Sequence, residues 1–193
     1  MQESTRISDY LLYIAYLTKK LEGFFEKQYP YICCKKGCAK CCKNGEYPFS
    51  LAEFNFIMIG FSKLPVKTQE IIKEKIKSEK EKSPENFTYE CPFLINNECS
   101  VYDFRGIICR SFGLMSINPT GKSKIPFCAY EGLNYSNVLD KDTTVISTEK
   151  YQKLGDVPEP LAFNVSYEYL TSDEIGKNFH INFGEKRALI DWF

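Results

Sequence analysis

Ten consecutive residues, Cys33-Cys34-Lys35-Lys36-Gly37-Cys38-Ala39-Lys40-Cys41-Cys42, hold five of the nine cysteines in a chain of 193 residues. No ordinary element of a hydrophobic core tolerates that density of cysteine and lysine, so the stretch from Cys33 to Gly45 is expected to form an irregular loop or short turns. Cys38 and Cys41 make a C-x-x-C, a spacing that lets two sulfurs fold back onto one ion and therefore recurs in zinc and iron–sulfur sites. Gly37 permits a backbone turn that a side chain would resist. A thioredoxin-like redox pair is the usual rival for a single C-x-x-C. The additional Cys34 and Cys42 favour a metal.

The remaining cysteines, Cys91, Cys99, Cys109 and Cys128, are widely spaced, so only the fold can gather them. A metal joining the two groups would close a loop of about fifty residues, a cost that grows slowly with loop length. Structural zinc contributes on the order of 10–16 kcal/mol of apparent binding energy in small peptides, well above that cost. Inert buried cysteines are the bland account of such a composition, but they give no reason for the clustering.

Composition narrows the setting. Lys plus Arg and Asp plus Glu are both 25, so no global field draws the chain to nucleic acid or an anionic membrane. The first apolar run, Leu11 to Leu17, is shorter than the roughly 20 residues a bilayer span needs, and it lacks a leader's cationic start and cleavage site. A cytoplasmic location is the expectation. In a reducing compartment the cysteines would be ligands or inert thiols, not structural disulfides.

Periodicity predicts the elements. A helix is expected from Ser8 to about Gln28, with Leu11, Ile14, Ala15, Leu17 or Thr18, Leu21, Phe24 and Phe25 on its core face, ended by Tyr29-Pro30. Ser50 and Glu53 fit a capping box that opens a second helix ending near Gly60 to Ser62. Pro65 suits the first turn of a third, running to about Lys82 with Val66, Ile71, Ile72 and Ile76 on one side. Ser83 to Asn86 reads as a loop. A short helix is expected near Tyr102 to Arg110, and a hairpin around Asn118-Pro119-Thr120-Gly121. Pro158 and Pro160 break the C-terminal region, Ser172-Asp173-Glu174 opens a short helix, and Glu185 to Phe193 is expected to be a short amphipathic helix. The fold class is thus mainly α, with irregular metal-bound loops and one small β-hairpin. A single domain spans 1–193: a helical segment at 8–28, a cysteine-cluster core at 33–128 and a cysteine-free extension at 129–193.

Charge supports an anionic centre. Lys35, Lys36, Lys40 and Lys43 lie among the sulfurs, and Arg105 and Arg110 flank Cys109. Cations there favour thiolate over thiol. Tyr102, Arg105 and Arg110 are the candidate cofactor-contacting residues. His180, the one histidine, is remote from both groups, which argues against a mixed Cys/His finger.

The ordered combination Cys34-x3-Cys38-x2-Cys41-Cys42, Cys91-Pro92-Phe93-Leu94, Cys99-Ser100-Val101-Tyr102-x2-Arg105 and Cys109-Arg110-x-Phe112 resembles the YkgJ-type cysteine-cluster family, whose members are described as zinc- or iron-chelating domains. The resemblance covers about Cys34 to Cys128. It implies metal ligation by Cys34, Cys38, Cys41, Cys42, Cys91, Cys99, Cys109 and Cys128, leaving Cys33 as an extra. Gly106 stands where the family usually has proline and is expected to loosen the turn before Cys109. A flagellin lysine methylase with a similar cysteine pattern is associated with a four-iron cluster. That likeness tilts the expected cofactor from zinc toward an iron–sulfur cluster, without transferring the methylase activity.

Three function classes follow. The first is a metal-binding module holding zinc or an iron–sulfur cluster, with an unidentified protein or small molecule as partner. The second is an iron–sulfur-dependent redox or group-transfer enzyme of methyltransferase-like type. A nucleic-acid-binding zinc protein using the four lysines ranks last, and no membrane partner is expected.

Overall fold

The computed structural model describes residues 5–35, 37–45, 47–82 and 88–193. Lys36 and the loop expected at Ser83 to Asn86 lie outside the described residues. The first helix, α1 (Ile7–Lys27), is followed by a single turn, α2 (Lys40–Lys43). Then come β1 (Pro48–Ser50), α3 (Leu51–Ser62) and α4 (Val66–Lys80). A tight hairpin of β2 (Leu94–Ile95) and β3 (Glu98–Cys99) precedes α5 (Ile107–Ser111). Two further hairpins pair β4 (Ser116–Ile117) with β5 (Ser123–Lys124) and β6 (Leu139–Asp140) with β7 (Val145–Ile146). The chain finishes through α6 (Thr148–Gln152), α7 (Tyr167–Leu170), α8 (Asp173–Phe179) and β8 (Lys186–Ala188).

The helical character and the hairpin around Asn118 are as expected, but among the described residues the strands amount to four small antiparallel pairs. One of them overturns a local expectation. The tail is not an amphipathic helix: Lys186–Ala188 pairs with Pro48–Ser50, and only Leu189–Trp192 coils, as a 3-10 turn. Trp192 caps this arrangement, donating its indole N–H to the Phe49 carbonyl at 3.0 Å and stacking on Phe54. The expected Tyr102 to Arg110 helix is likewise split, into a 3-10 turn (Tyr102–Phe104) and α5.

Core faces also differ in detail. On α1 the buried stripe is Tyr10, Tyr13, Ile14, Leu17 and Leu21, whereas Leu11 is exposed. The Tyr13 hydroxyl donates to the Leu170 carbonyl at 2.6 Å, so the ring is buried with its polar tip satisfied. On α4 only Ile72 and Ile76 are buried, and Val66 and Ile71 face outward.

The capping box at α3 holds more than a helix terminus. The Ser50 side chain accepts from the Glu53 amide, and the Glu53 carboxylate accepts from the Ser50 amide and hydroxyl. Glu53 is also completely buried, and takes the Tyr167 hydroxyl at 2.6 Å and the Ile107 amide at 2.8 Å. One carboxylate therefore ties α3 to the start of α5 and to α7. Desolvation pushes its carboxyl up, and the four donors oppose that shift.

Gly106, just before α5, closes this turn instead of loosening it. A Cβ there would lie 2.5 Å from the Phe49 ring and 2.9 Å from Glu53 Oε1. The absent side chain lets Phe49 and Glu53 press against the backbone that leads to Cys109.

Removing the carboxylate strands several buried donors at once. Glu53→Ala should lower the unfolding free energy of the metal-free protein by about 3 kcal/mol or more, and Tyr167→Phe by about 1 kcal/mol. Urea denaturation midpoints check both, and equal effects would contradict the central place of Glu53.

Candidate metal centre

None of the nine cysteines is in a disulfide. The structure sorts most of them around two places. Cys41 and Cys42, Cys91 and Cys109 line one small cavity, together with Gly45, Tyr47, Phe49, Tyr89, Ile108, Phe112 and Leu189. The free space is ≈ 30 Å³, and the lining is almost wholly apolar apart from the sulfurs.

Backbone pairing builds this cavity. The short helix α2 carries Cys41 and Cys42, and the Cys91 amide donates to the Cys42 carbonyl at 2.7 Å. Gly45 and Tyr89 bridge as strand partners beside it, bringing the 89–91 segment against the first cysteine run. Cys109 arrives on α5, whose first amide is held by Glu53. Leu189 closes one wall, its amide bonded to the Tyr89 hydroxyl at 2.9 Å. This is how cysteines 67 residues apart in sequence share one space.

The electrostatics are those of thiols without a counter-ion. Desolvation is the first cause raising Cys91, Cys99 and Cys109, with mutual repulsion among Cys42, Cys91 and Cys99 adding to it. Cys99 is pushed up to about 11. Cys109 presents surface to solvent, yet its thiol is still strongly raised, because the sulfur faces the recessed cavity. Cys41 and Cys42 lie 4.0 Å apart, sulfur to sulfur, and share a proton. The shared bond raises Cys41 and lowers Cys42, so Cys42 is the member held closer to thiolate. Lys75, bonded to Glu90 and the Leu94 carbonyl, brings a cation near Cys91.

Two observations fit this donor set to a soft metal. A tetrahedral zinc thiolate with Zn–S of about 2.3 Å has its sulfurs about 3.8 Å apart, close to the Cys41–Cys42 separation. The Tyr47 hydroxyl, moreover, is buried in the cavity wall without a hydrogen-bond partner among the described residues. Such a donor beside thiols is satisfied once those thiols become anionic, because a metal-bound thiolate accepts hydrogen bonds. Among the described residues, no group of three or more Cys, His, Asp or Glu side chains is placed to hold a metal ion as it stands.

Cys33 and Cys34 meet at Asn134, which is almost fully buried. Its Oδ1 accepts the Cys33 amide at 2.9 Å and the Cys33 thiol at 3.1 Å. Its Nδ2 donates to Cys34 Sγ at 3.0 Å and to the Gly113 carbonyl at 2.9 Å. Gly113, at φ +103°, leaves the necessary room: a Cβ there would lie 2.6 Å from Asn134 Nδ2 and 2.8 Å from Cys34 Sγ. Cys128, buried in the adjacent turn, is raised to about 12 by desolvation first and then by Cys34, Cys33 and Cys38. Cys34 is raised by desolvation, and the Asn134 bond works against that shift.

The residues expected as cofactor contacts fall differently. Arg110 is nearly buried and spends its guanidinium on the Arg105 and Asp103 carbonyls and the Thr18 hydroxyl. Arg105 lies 3.8 Å over the exposed Tyr102 ring and bonds that residue's carbonyl. Both arginines act electrostatically on Cys99, behind its desolvation. Lys40 pairs with Glu131 at 3.0 Å. His180 lines a separate polar cavity with Lys177 and Lys186. Tyr47 and Asn134 carry no signal in the sequence, since each is a lone polar residue whose role depends on a distant partner.

Comparison with known proteins places the cysteine region in a family. The family model CxxCxxCC, described as a "Putative zinc- or iron-chelating domain", matches residues 33–129. No curated protein and no solved structure matches. No helix among the described residues is long and apolar enough to cross a membrane.

The raised thiols set a direction with pH. A thiol whose folded pKa exceeds its unfolded value near 8.5 adds stability below that value, and the contribution is lost as pH rises through the folded pKa. Metal-free protein should therefore lose melting temperature from about pH 8.5 upward, through the range where Cys99 and Cys128 ionise near 11 and 12. Metal-loaded protein, whose thiols are already deprotonated, should not. Thermal melts of both forms across pH 7 to 11 test this, and parallel curves would refute it. Separately, Gly113→Ala should cost about 1–3 kcal/mol through overpacking and its positive φ, measured by chemical denaturation.

Proposed function

The chain belongs to the CxxCxxCC family of zinc- or iron-chelating domains, and from that premise we propose that it holds one metal ion through Cys41, Cys42, Cys91 and Cys109. The observation that carries the proposal is that these four sulfurs share one apolar cavity whose wall contains an unpartnered Tyr47 hydroxyl. The ion would organise the fold by joining α2, α5 and the segment before β2. Four thiolates leave no open position, so a structural role fits better than substrate chemistry.

Spacing favours one ion over a cubane cluster. A cubane spreads its ligand sulfurs, since each binds a different iron, whereas Cys41 and Cys42 are already 4.0 Å apart. Zinc or a single iron suits that geometry. The other thiolates of the family pattern, Cys34, Cys38, Cys99 and Cys128, are not needed for this ion.

Anaerobic purification followed by metal and acid-labile sulfide analysis tests the reading. Zinc or iron without sulfide is expected, with metal retention reduced more than about tenfold in Cys42→Ser and Cys91→Ser, beyond the loss that a supporting hydrogen bond brings. Four irons with four sulfides per chain would replace the single ion by a cluster, and absence of bound metal would end the proposal. Tyr47→Phe separates a supporting role from a packing role. It should leave the metal-free protein within about 0.5 kcal/mol of wild type, because a buried hydroxyl without a partner adds no stability. In the loaded protein it should speed metal release to a chelator by roughly tenfold.

A further inference from the structure

We infer that the polar cavity beside α8 binds a small phosphate-bearing molecule, with Lys177 and Lys186 as its cations and His180 as a further N–H donor. The cavity shares no lining residue with the one that holds the cysteines. The inference is therefore independent of the metal.

Three observations carry it. First, the space has the size of a ligand site. It measures ≈ 380 Å³, within the range of roughly 300–1,000 Å³ in which proteins hold small molecules. Inorganic phosphate alone would leave much of that volume to water, so the fit is to a phosphate carried on a small polar body.

Second, the walls are built and fixed. Gly176 approaches the chain beyond α8 so closely that a Cβ there would lie 2.7 Å from the Ile181 carbonyl oxygen, and the Ile181 amide donates to the Gly176 carbonyl at 2.8 Å. His180, in the left-handed region at φ +55°, makes the turn that ends the helix. On the far side Thr5 grips Asn182 twice: its hydroxyl donates to the Asn182 carbonyl at 2.6 Å and accepts the Asn182 amide at 2.9 Å. The Phe183 carbonyl takes the Ala52 amide from the first turn of α3. The rim is thus tied to two other parts of the fold.

Third, positive charge faces this space without a partner of opposite sign. Lys186 stands opposite Ser50 in the β1–β8 pair. Its ammonium donates to the Thr171 hydroxyl at 2.7 Å and carbonyl at 3.4 Å, and lies 5.4 Å from the centre of the Tyr167 ring. An ammonium has three donors, so one remains for a ligand. Neither Lys186 nor Lys177 makes an ion pair among the described residues. Asp173 is the one carboxylate among the described lining residues, and its i,i+4 spacing from Lys177 would allow a pair that the structure does not form. A phosphate monoester carries close to two negative charges at neutral pH and three acceptor oxygens. That matches two ammonium groups and an imidazole N–H, whereas a carboxylate brings one charge and two oxygens.

The test uses the full chain as purified, at low ionic strength. Ribose 5-phosphate, inorganic phosphate, ribose and succinate are titrated in turn, with affinity read by calorimetry and location by amide NMR shifts. Both phosphates should move the amides of Gly176, Ile181 and Gly184, ribose should not, and succinate should bind roughly tenfold more weakly than ribose 5-phosphate. Lys177→Gln removes a side chain that bonds nothing among the described residues, so the fold should persist while ribose 5-phosphate affinity falls roughly five- to tenfold. Asp173→Asn should tighten the same binding about twofold, since it removes a like charge. Opposite signs for these two variants mark an anion site. Absence of shifts at those amides with both phosphates would overturn the inference. So would succinate or ribose binding as tightly as ribose 5-phosphate, or a Lys177→Gln protein with wild-type affinity. None of these outcomes bears on the thiols, so the metal reading stands or falls separately.

Discussion

A single buried carboxylate holds the metal-binding half of this molecule in register. Glu53 accepts from Ser50, Tyr167 and the Ile107 amide, groups on three elements that are far apart in sequence. The five-residue α5 is too short to persist on its own, since helices of that length do not repay their nucleation in water. Its direction is imposed by the carboxylate at its first amide and by Arg110, which binds the carbonyls of the preceding turn. Cys109 lies between those two anchors. A buried carboxylate is costly without partners, so the same atoms that orient Cys109 also oblige Tyr167 and Ser50 to stay in place. The link between fold and site runs through that satisfied network.

Around the cysteines the balance is reversed. There the structure gathers thiols whose charged forms burial opposes, and the cost is eased at Cys42 by Cys41, at Cys34 by Asn134, at Cys91 by Lys75 and at Cys99 by Arg105 and Arg110. A divalent ion removes the conflict by converting repelling, hard-to-ionise thiols into ligands, with release of their protons. The apolar walls from Phe49, Tyr89, Ile108, Phe112 and Leu189 strengthen that interaction by keeping the local dielectric low. The network of Glu53 is complete without metal, whereas the thiol cavity and the Tyr47 hydroxyl are not. The protein thus pairs a self-sufficient scaffold with a thiol cavity that the proposed ion would complete.

How far the sequence discloses this depends on the range of each interaction. The Ser50–Glu53 cap is written in four residues, and its helix follows with the expected ends. The C-x-x-C and its neighbours are equally local, which is why the family pattern is legible. The Tyr167 and Ile107 contacts of the same Glu53 are 114 and 54 residues away and leave no local trace. The tail misleads for a related reason: Lys186-Arg187-Ala188 has no strand signature, and its pairing comes from Phe49 and Ser50, which it meets only in the folded state. On α1 helical periodicity is right, but the face is set by aromatic contacts such as Tyr10 on Phe56 and Tyr13 on Phe179, which draw tyrosines inward and leave Leu11 outside. Asn134 is the extreme case, since an isolated asparagine acquires meaning only from the two sulfurs that it touches.

The two groups of sulfurs nonetheless depend on the same few residues. Cys38 lies just before α2, and Cys41 and Cys42 lie within it. A helix of four residues has no stability of its own, so its position is set by what grips its ends. At one end the Cys91 amide holds the Cys42 carbonyl; at the other the Lys40–Glu131 pair holds the turn that carries Cys128. The ion pair is partly exposed, and such pairs add little by themselves. Ligation of the proposed ion by Cys41, Cys42, Cys91 and Cys109 would remove conformational freedom from this segment, and the turns gripping its ends would then have less left to order.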